Sequence, residues 1–518
     1  MNDLVPDSRF SRTAIQDAAV LGAGAAAFVG LYAYAALWSA KTPSVAVLVA
    51  IFAVAAAAIL RKARTPAASI AVVLAGLGLY AVYFSYTRPT DRSTDPSSHV
   101  AYITWLLDHH SLPSGDQCVV CHHPPAYYIL AAIVRQGAET LRFADVDAAL
   151  QTLSFALFST FVLFSTLTVD RLVPKTYQRV IATAIVVFWP YAVINSVRIS
   201  NDSLLYTLAS VFFYCLARWS TEGLRKFLIG ASVAATAALF VKANGLALVI
   251  TLFALVALRV YQATDRKAVL RACAAPLAAT LAIAFVFQLA RGPSAASLPR
   301  KVLGTAYEPV ASHTTPRTFR YYLTFSPTAI VHPPYVLTNQ YRSQEPSFWN
   351  HLIKSSLFGT RNPTIFVLSG FKDPNPAIAT ASNGALLALL ATLLFGMAAT
   401  WCDKRTERTV SFLYVGVFVA SSLAFHLAAP LGYHADFRLV FPVVVPMSVL
   451  FAQAVDGVRR RGILLWHLGY LVPNVFLALA IAYFMPFTFP APGKGTISPA
   501  PAGPLLRIPL RPNTPFHR

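Results

Sequence analysis

Apolar stretches of about 17 to 25 residues recur along this chain, each long enough to cross roughly 30 Å of hydrocarbon at about 1.5 Å per residue. They run approximately over 18–40, 43–60, 66–86, 148–170, 180–197, 203–217, 227–241, 244–258, 272–290, 380–400, 409–430, 439–455 and 463–484. Only 12% of the 518 residues are charged and 56% are hydrophobic, too few charges to solvate a soluble protein of this size. The expected fold is therefore an all-α polytopic membrane domain of about thirteen transmembrane helices over 1–485. The first apolar segment is long and two more follow closely, so it reads as a retained helix and not a cleaved leader.

Basic residues collect in short cytoplasmic segments, because Lys and Arg resist translocation. Placing the N-terminus inside puts Arg9, Arg12, Arg61, Lys62, Arg64, Arg171, Lys175, Arg179, Arg218, Arg225 and Lys226 on one side. Arg259, Arg266, Lys267, Arg271, Lys404, Arg405, Arg408 and Arg459 to Arg461 join them. The short outer turns carry one charge each, Lys41, Arg198, Lys242 and Arg438, which predicts an outer C-terminus. The net charge of +21 thus reflects topology, and its spread over many turns argues against a nucleic-acid partner, which would need one basic face.

Two outer segments, roughly 87–147 and 291–379, are too long to be mere connectors and are where function is expected. The second is rich in aromatic and basic residues, among them Tyr307, His313, Arg317, Arg320, Tyr321, Tyr322, His332, Tyr335, Tyr341, Arg342, Trp349 and Lys354. This mixture fits a sugar, which offers hydroxyls and C–H faces, and equally fits an interfacial belt at headgroup level. The tail 486–518 is rich in Pro, Gly and Ser, with no periodicity to support a core, and is expected to be extended and outer.

The first long segment carries Thr94-Asp95-Pro96-Ser97-Ser98-His99, then Leu112-Pro113, then His122-His123-Pro124-Pro125-Ala126-Tyr127-Tyr128. Asp95 and Pro96 make a good helix start, Asp as cap and Pro at the first helical position, with His99 one turn on. A carboxylate at a membrane edge can also act as a general base, and capping and catalysis are compatible. Pro124 and Pro125 predict a short juxtamembrane amphipathic helix from Ala126 to about Arg135, stopped at Gly137.

These residues resemble the GT-C superfamily of polyprenyl-phosphate-sugar transferases, which includes protein O-mannosyltransferases and the aminoarabinose transferase acting on lipid A. The resemblance covers most of the chain and rests on Asp95, His99, Leu112-Pro113 and His123-Pro124-Pro125-Ala126-Tyr127-Tyr128. It extends to Asn201-Asp202-Ser203-Leu204 at an outer helix start, Lys242 in an outer turn, and Arg438-Leu439-Val440-Phe441-Pro442 opening a late helix. Pro96 replaces the acidic residue that often follows the family's Asp, and two extra spans precede the loop. The resemblance implies a bacterial inner-membrane enzyme whose site faces outward. Asp95 would deprotonate an acceptor hydroxyl that displaces a polyprenyl phosphate from the sugar with inversion, without any cofactor. Substrate binding would fall to His99, His123, Tyr127, Tyr128, Lys242 and Arg438, with Arg198 and Arg320 as further cations for the leaving phosphate. The alternative for each cation is snorkelling, the stem covering apolar surface and the head reaching the interface.

Cys118-Val119-Val120-Cys121-His122 matches the spacing of covalent haem attachment. A haem also needs an apolar pocket, usually with a second axial ligand, which this short polar segment does not offer. A disulfide between Cys118 and Cys121 in an oxidising compartment is the preferred reading, and adjacent imidazoles at His122 and His123 are poorly spaced for tetrahedral zinc, so no metal is expected. The rival class is a transporter or lipid flippase, which usually places ionisable residues within midplane segments and shows paired repeats. Here the polar residues gather in outer loops instead.

Overall fold

The computed structural model describes residues 42–87, 96–143 except 115, 116 and 119, 145–290, 318–333, 337–338, 347–361, 376–399, 406–428 and 432–459, with isolated residues at 30 and between 471 and 482. The expected spans 18–40 and 463–484, the tail and Asp95 lie outside the described residues or almost wholly so.

Helix α1 (Thr42–Lys62) and α2 (Ala67–Tyr86) lead to the first long segment between spans, which holds α3 (Pro96–His109) and α4 (Ala126–Thr140). Next come α5 (Val146–Leu172), α6 (Thr176–Phe188), the short α7 (Pro190–Asn195), α8 (Asn201–Glu222), α9 (Arg225–Leu239), α10 (Leu246–Gln262) and α11 (Arg266–Ala290). The second long segment holds α12 (Phe319–Leu323), α13 (Pro327–Val331) and α14 (Phe348–Phe358), and its Leu337–Thr338 pairs in parallel with Thr360–Arg361. The chain then forms α15 (Pro376–Ala399), α16 (Thr406–Ala428) and α17 (Val444–Arg459).

Among the described residues, six helices are long and apolar enough to cross a membrane, and 176–188 and 441–455 are shorter apolar helices. The protein is a helical membrane protein. A short connection packs α8 on its successor α9, while α8 also packs on α5 and α17 packs on α6 and α15, contacts between helices not adjacent in sequence. Buried Ser154, Ser159, Ser165 and Thr166 on α5 donate to the carbonyl four residues back, which satisfies hydroxyls that have no water to bond.

Three sequence expectations are corrected. The stretch 180–197 is not one helix: α6 ends at Phe188, Trp189 is extended at φ −56°, ψ 125°, and Pro190 starts α7. Proline has no N–H for the preceding turn and pushes the residue before it out of the helical region. The helix after Pro125 does not stop at Gly137 but runs to Thr140, and the chain turns only at Arg142, whose φ is +55°. Gly137 meets nothing within 4 Å on the missing side-chain side, and one interior glycine costs only about 1 kcal/mol. The late span does not open as an α-helix at 439, because Phe437–Leu439 and Phe441–Val443 are tight 3-10 turns that precede α17.

Phe441 anchors those turns. Its ring centroid lies 4.8 Å from Tyr206, 5.5 Å from Phe161 and 5.8 Å from Tyr191, so α5, α7 and α8 close around it. Helix α14 supports the same region from the second long segment, since Ser355 Oγ accepts from Phe437 N at 2.9 Å. Gly359, at φ +70°, then lets the chain pass Tyr191 where a Cβ would fall 2.6 Å from the ring.

Candidate functional site

Four segments far apart in sequence meet where the ends of these helices converge. The first is the start of α8, where Ser200 caps the helix by accepting from Asp202 N at 3.2 Å. Asn201 then donates to Val241 O at 3.2 Å, which ties this end to the turn between α9 and α10. That turn carries Lys242 and is held tight by Gly245, where a Cβ would meet the Ala238 carbonyl carbon at 2.5 Å. Asn244 in turn donates to Leu439 O at 3.1 Å, and Tyr206 Oη donates to Arg438 O at 2.8 Å. The start of α4 closes the ring of segments with Ala126 N donating to Phe240 O at 3.0 Å.

This scaffold buries ionic groups. Lys242 is 7% exposed, and its ammonium lies 2.5 Å from Asp202 Oδ1. Asp436 is buried and accepts from Arg438 N at 3.0 Å, with Arg438 Nε 3.9 Å from its other oxygen. Arg198 is 5% exposed and donates from Nη1 to Tyr191 Oη at 3.1 Å and to Asn195 Oδ1 at 3.3 Å. Snorkelling therefore does not describe Lys242 or Arg198, whose heads are enclosed by protein. Burial pushes the Lys242 ammonium below its ordinary value, against the opposing pull of Asp202.

The first long segment contributes a histidine and tyrosine stack to this region. His99 Nδ1 and Tyr128 Oη are 3.0 Å apart, and the Tyr102 ring stacks on Tyr128 at 3.9 Å between centroids. Tyr102 Oη reaches the His123 carbonyl at 3.5 Å, and Tyr127 is fully buried beside Ser154 and Ser200. Burial pushes the His123 imidazolium well below its ordinary value, and His122, Lys242, His99 and Arg438 push it the same way, so His123 is neutral at pH 7. The adjacent Cys118 and Cys121 are joined by a disulfide. Among the described residues, no group of three or more His, Cys, Asp or Glu side chains is arranged to hold a metal ion.

No family model matches the sequence, and no curated protein matches it. Among solved structures, the chain is similar to the crystal structure of ArnT from Cupriavidus metallidurans bound to undecaprenyl phosphate. The identity is 12% and the TM-score 0.37, over 80% of this chain and 76% of that one. A likeness that distant adds nothing to the geometry of the site.

Of the residues singled out in the sequence, Lys242, Arg438, Arg198 and His123 come together, with Tyr127, Tyr128 and His99 alongside. Arg320 does not join them: it is exposed on α12, beside a separate group in which Tyr322 Oη bonds His426 Nδ1 at 3.0 Å. Asp95 falls outside the described residues, immediately before α3 in sequence. Asp436, Tyr191, Tyr206 and Asn244 were not anticipated. Asp436 stands two residues before Arg438, which is a usable signal; the others are marked only by contacts between distant segments.

Such an arrangement can hold an anion. Among the described residues, buried Arg198 and Lys242 and half-buried Arg438 face two buried carboxylates, in surroundings where charge interactions are far stronger than at a surface. The tyrosine hydroxyls and the neutral imidazole add hydrogen-bonding groups suited to a polar, hydroxyl-bearing ligand.

Proposed function

We propose that this protein is a membrane glycosyltransferase that moves a sugar from a polyprenyl-phosphate donor to an extracytoplasmic acceptor hydroxyl. The acceptor oxygen attacks the anomeric carbon as Asp95 takes its proton. The bond from that carbon to the phosphate oxygen breaks with inversion, and polyprenyl phosphate leaves as an anion without needing an acid. Arg438, Lys242 and Arg198 stabilise the charge that builds on the phosphate. His99, His123, Tyr127 and Tyr128 line the sugar side. The acceptor is a glycan, lipid or protein hydroxyl, and no cofactor takes part.

The observation that carries this reading is the gathering of buried Arg198 and Lys242 with half-buried Arg438 around Asp202 where apolar helices end. A lipid anion is the ligand class that reaches such a site from the bilayer, with its head at the cluster and its tail along the helices. In a flippase or transporter, ionisable groups would be expected within the spans. The bias of basic residues toward the opposite helix ends supports an extracytoplasmic position for the cluster, at an inner membrane.

The direct test is binding of polyprenyl phosphate to the purified chain in nanodiscs, read by native mass spectrometry. Binding that uncharged polyprenol does not displace, and that Arg438→Ala weakens by at least tenfold, is the expected result. Equal binding of polyprenol and polyprenyl phosphate would sink the anion site.

A further inference from the structure

Asp202 sits among the cations but does not cancel them. Its carboxylate lies against Lys242 and within electrostatic reach of Arg438 and Arg198, and Ser200 Oγ donates to its second oxygen at 3.2 Å. Arg198, meanwhile, is bonded to no carboxylate among the described residues. Its two hydrogen-bond acceptors are a tyrosine hydroxyl and an amide oxygen, and its Nε has no hydrogen-bond partner among the described residues. A guanidinium that is 5% exposed with an idle N–H is costly to bury unless a ligand completes it.

The charges in this cluster are few enough to count. Arg198, Lys242 and Arg438 supply three positive charges and Asp202 and Asp436 two negative, leaving one net positive charge among the described residues. A sugar-phosphate lipid is a phosphodiester with one negative charge. Once the sugar has left, the lipid is a phosphomonoester, which carries close to two at pH 7 because its second pKa is about 6. Substrate and product thus differ by one charge at the atom group the cluster holds.

We propose that Asp202 is a selectivity residue: its carboxylate lowers the positive charge of the cluster by one, so the site favours the singly charged phosphodiester over the doubly charged phosphomonoester and the spent lipid is released. This inference rests on the transferase reading. A unit charge about 10 Å from the phosphate, at an effective dielectric near 20, changes binding on the order of tenfold for each charge on the ligand. Loss of the Asp202 charge therefore strengthens monoester binding by on the order of tenfold more than diester binding.

The experiment compares polyprenyl phosphate, a monoester, with its methyl ester, a diester, on the full chain in nanodiscs at pH 8. Wild type holds the methyl ester at least as tightly as the monoester. Asp202→Asn moves the ratio on the order of tenfold toward the monoester, and Asp202→Asn with Lys242→Gln, which restores the charge balance, returns it. If Asp202→Asn does not fold, Lys242→Gln alone is set against the double variant: the two differ only by the Asp202 charge, and the double variant is expected to lie on the order of tenfold nearer the monoester. Binding of both lipids with a ratio that loss of the Asp202 charge does not move overturns the selectivity role alone. Failure of wild type to bind either lipid overturns the transferase reading and this inference with it.

Discussion

Lys242 Nζ and Asp202 Oδ1 lie 2.5 Å apart although 40 residues separate them in sequence. The pair joins the start of α8 to the turn between α9 and α10, next to Arg198 and Arg438. It is a structural joint and, on the reading proposed above, part of an anion site.

Removing one partner of that joint leaves the other charge buried. Lys242→Met is expected to destabilise the folded protein by about 3 to 5 kcal/mol, because the buried Asp202 carboxylate loses the cation it is paired with. Lys242→Met combined with Asp202→Leu is expected to recover most of that loss. Unfolding in detergent micelles, analysed as a double-mutant cycle, checks this; equal stability of the single and double variants would show that the pair is not coupled.

Arg438 and Arg320 carry the same charge, yet Arg438 lies within reach of Asp202 and His123 whereas Arg320 is exposed on α12. Arg438→Ala is expected to lower sugar transfer by about a hundredfold to a thousandfold, the usual cost of losing one stabilising donor in a shielded site. Arg320→Ala is expected to leave transfer within about threefold, since an exposed charge is screened by solvent and salt. Initial rates with saturating acceptor separate the two.

His123 gives a pH signature with a defined sign. Its imidazole is depressed in the folded protein, whereas in the unfolded chain it titrates near 6.5. As pH falls through that value the unfolded state takes up a proton that the folded state refuses, so stability falls progressively with acid. Thermal unfolding between pH 7.5 and 5 should show this loss in wild type, and His123→Gln should reduce it. An identical pH dependence in the variant would mean that other groups set it.

His99 and Tyr128 share a buried hydrogen bond at 3.0 Å. His99→Phe preserves the ring but leaves the Tyr128 hydroxyl without that partner, and is expected to cost about 1 to 3 kcal/mol. Tyr128→Phe with His99→Phe should cost less than the two single changes added together. Detergent unfolding of the three variants reads the difference.

The helices were legible because a bilayer demands a fixed apolar length, and 148–170 and 380–400 meet that demand without help from neighbours. The break at Trp189-Pro190 was hidden because the apolar pattern continues across it, although the proline itself announces it. Lys242 and Arg438 stood out as single charges in outer turns. Asp202 was visible in Asn201-Asp202-Ser203-Leu204, but its partner was not, since nothing local says which of several cations a helix-start carboxylate will meet. The segment 291–379 reads as an aromatic and basic surface, yet Lys354 in α14 is buried and donates to Ala329 O at 3.0 Å. Burial of that kind depends on packing between segments, which residue type alone does not reveal.

The central claim is a chemical one, and transfer of radiolabelled sugar tests it most directly. Purified wild type and Asp95→Asn, matched for folded protein, are incubated with membrane extracts containing polyprenyl-phosphate-linked sugars and with envelope acceptors. The account predicts labelled acceptor and free polyprenyl phosphate from wild type and neither from Asp95→Asn. Full activity in the variant would contradict Asp95 as the base, and no transfer from any polyprenyl-phosphate donor by wild type would contradict the transferase itself.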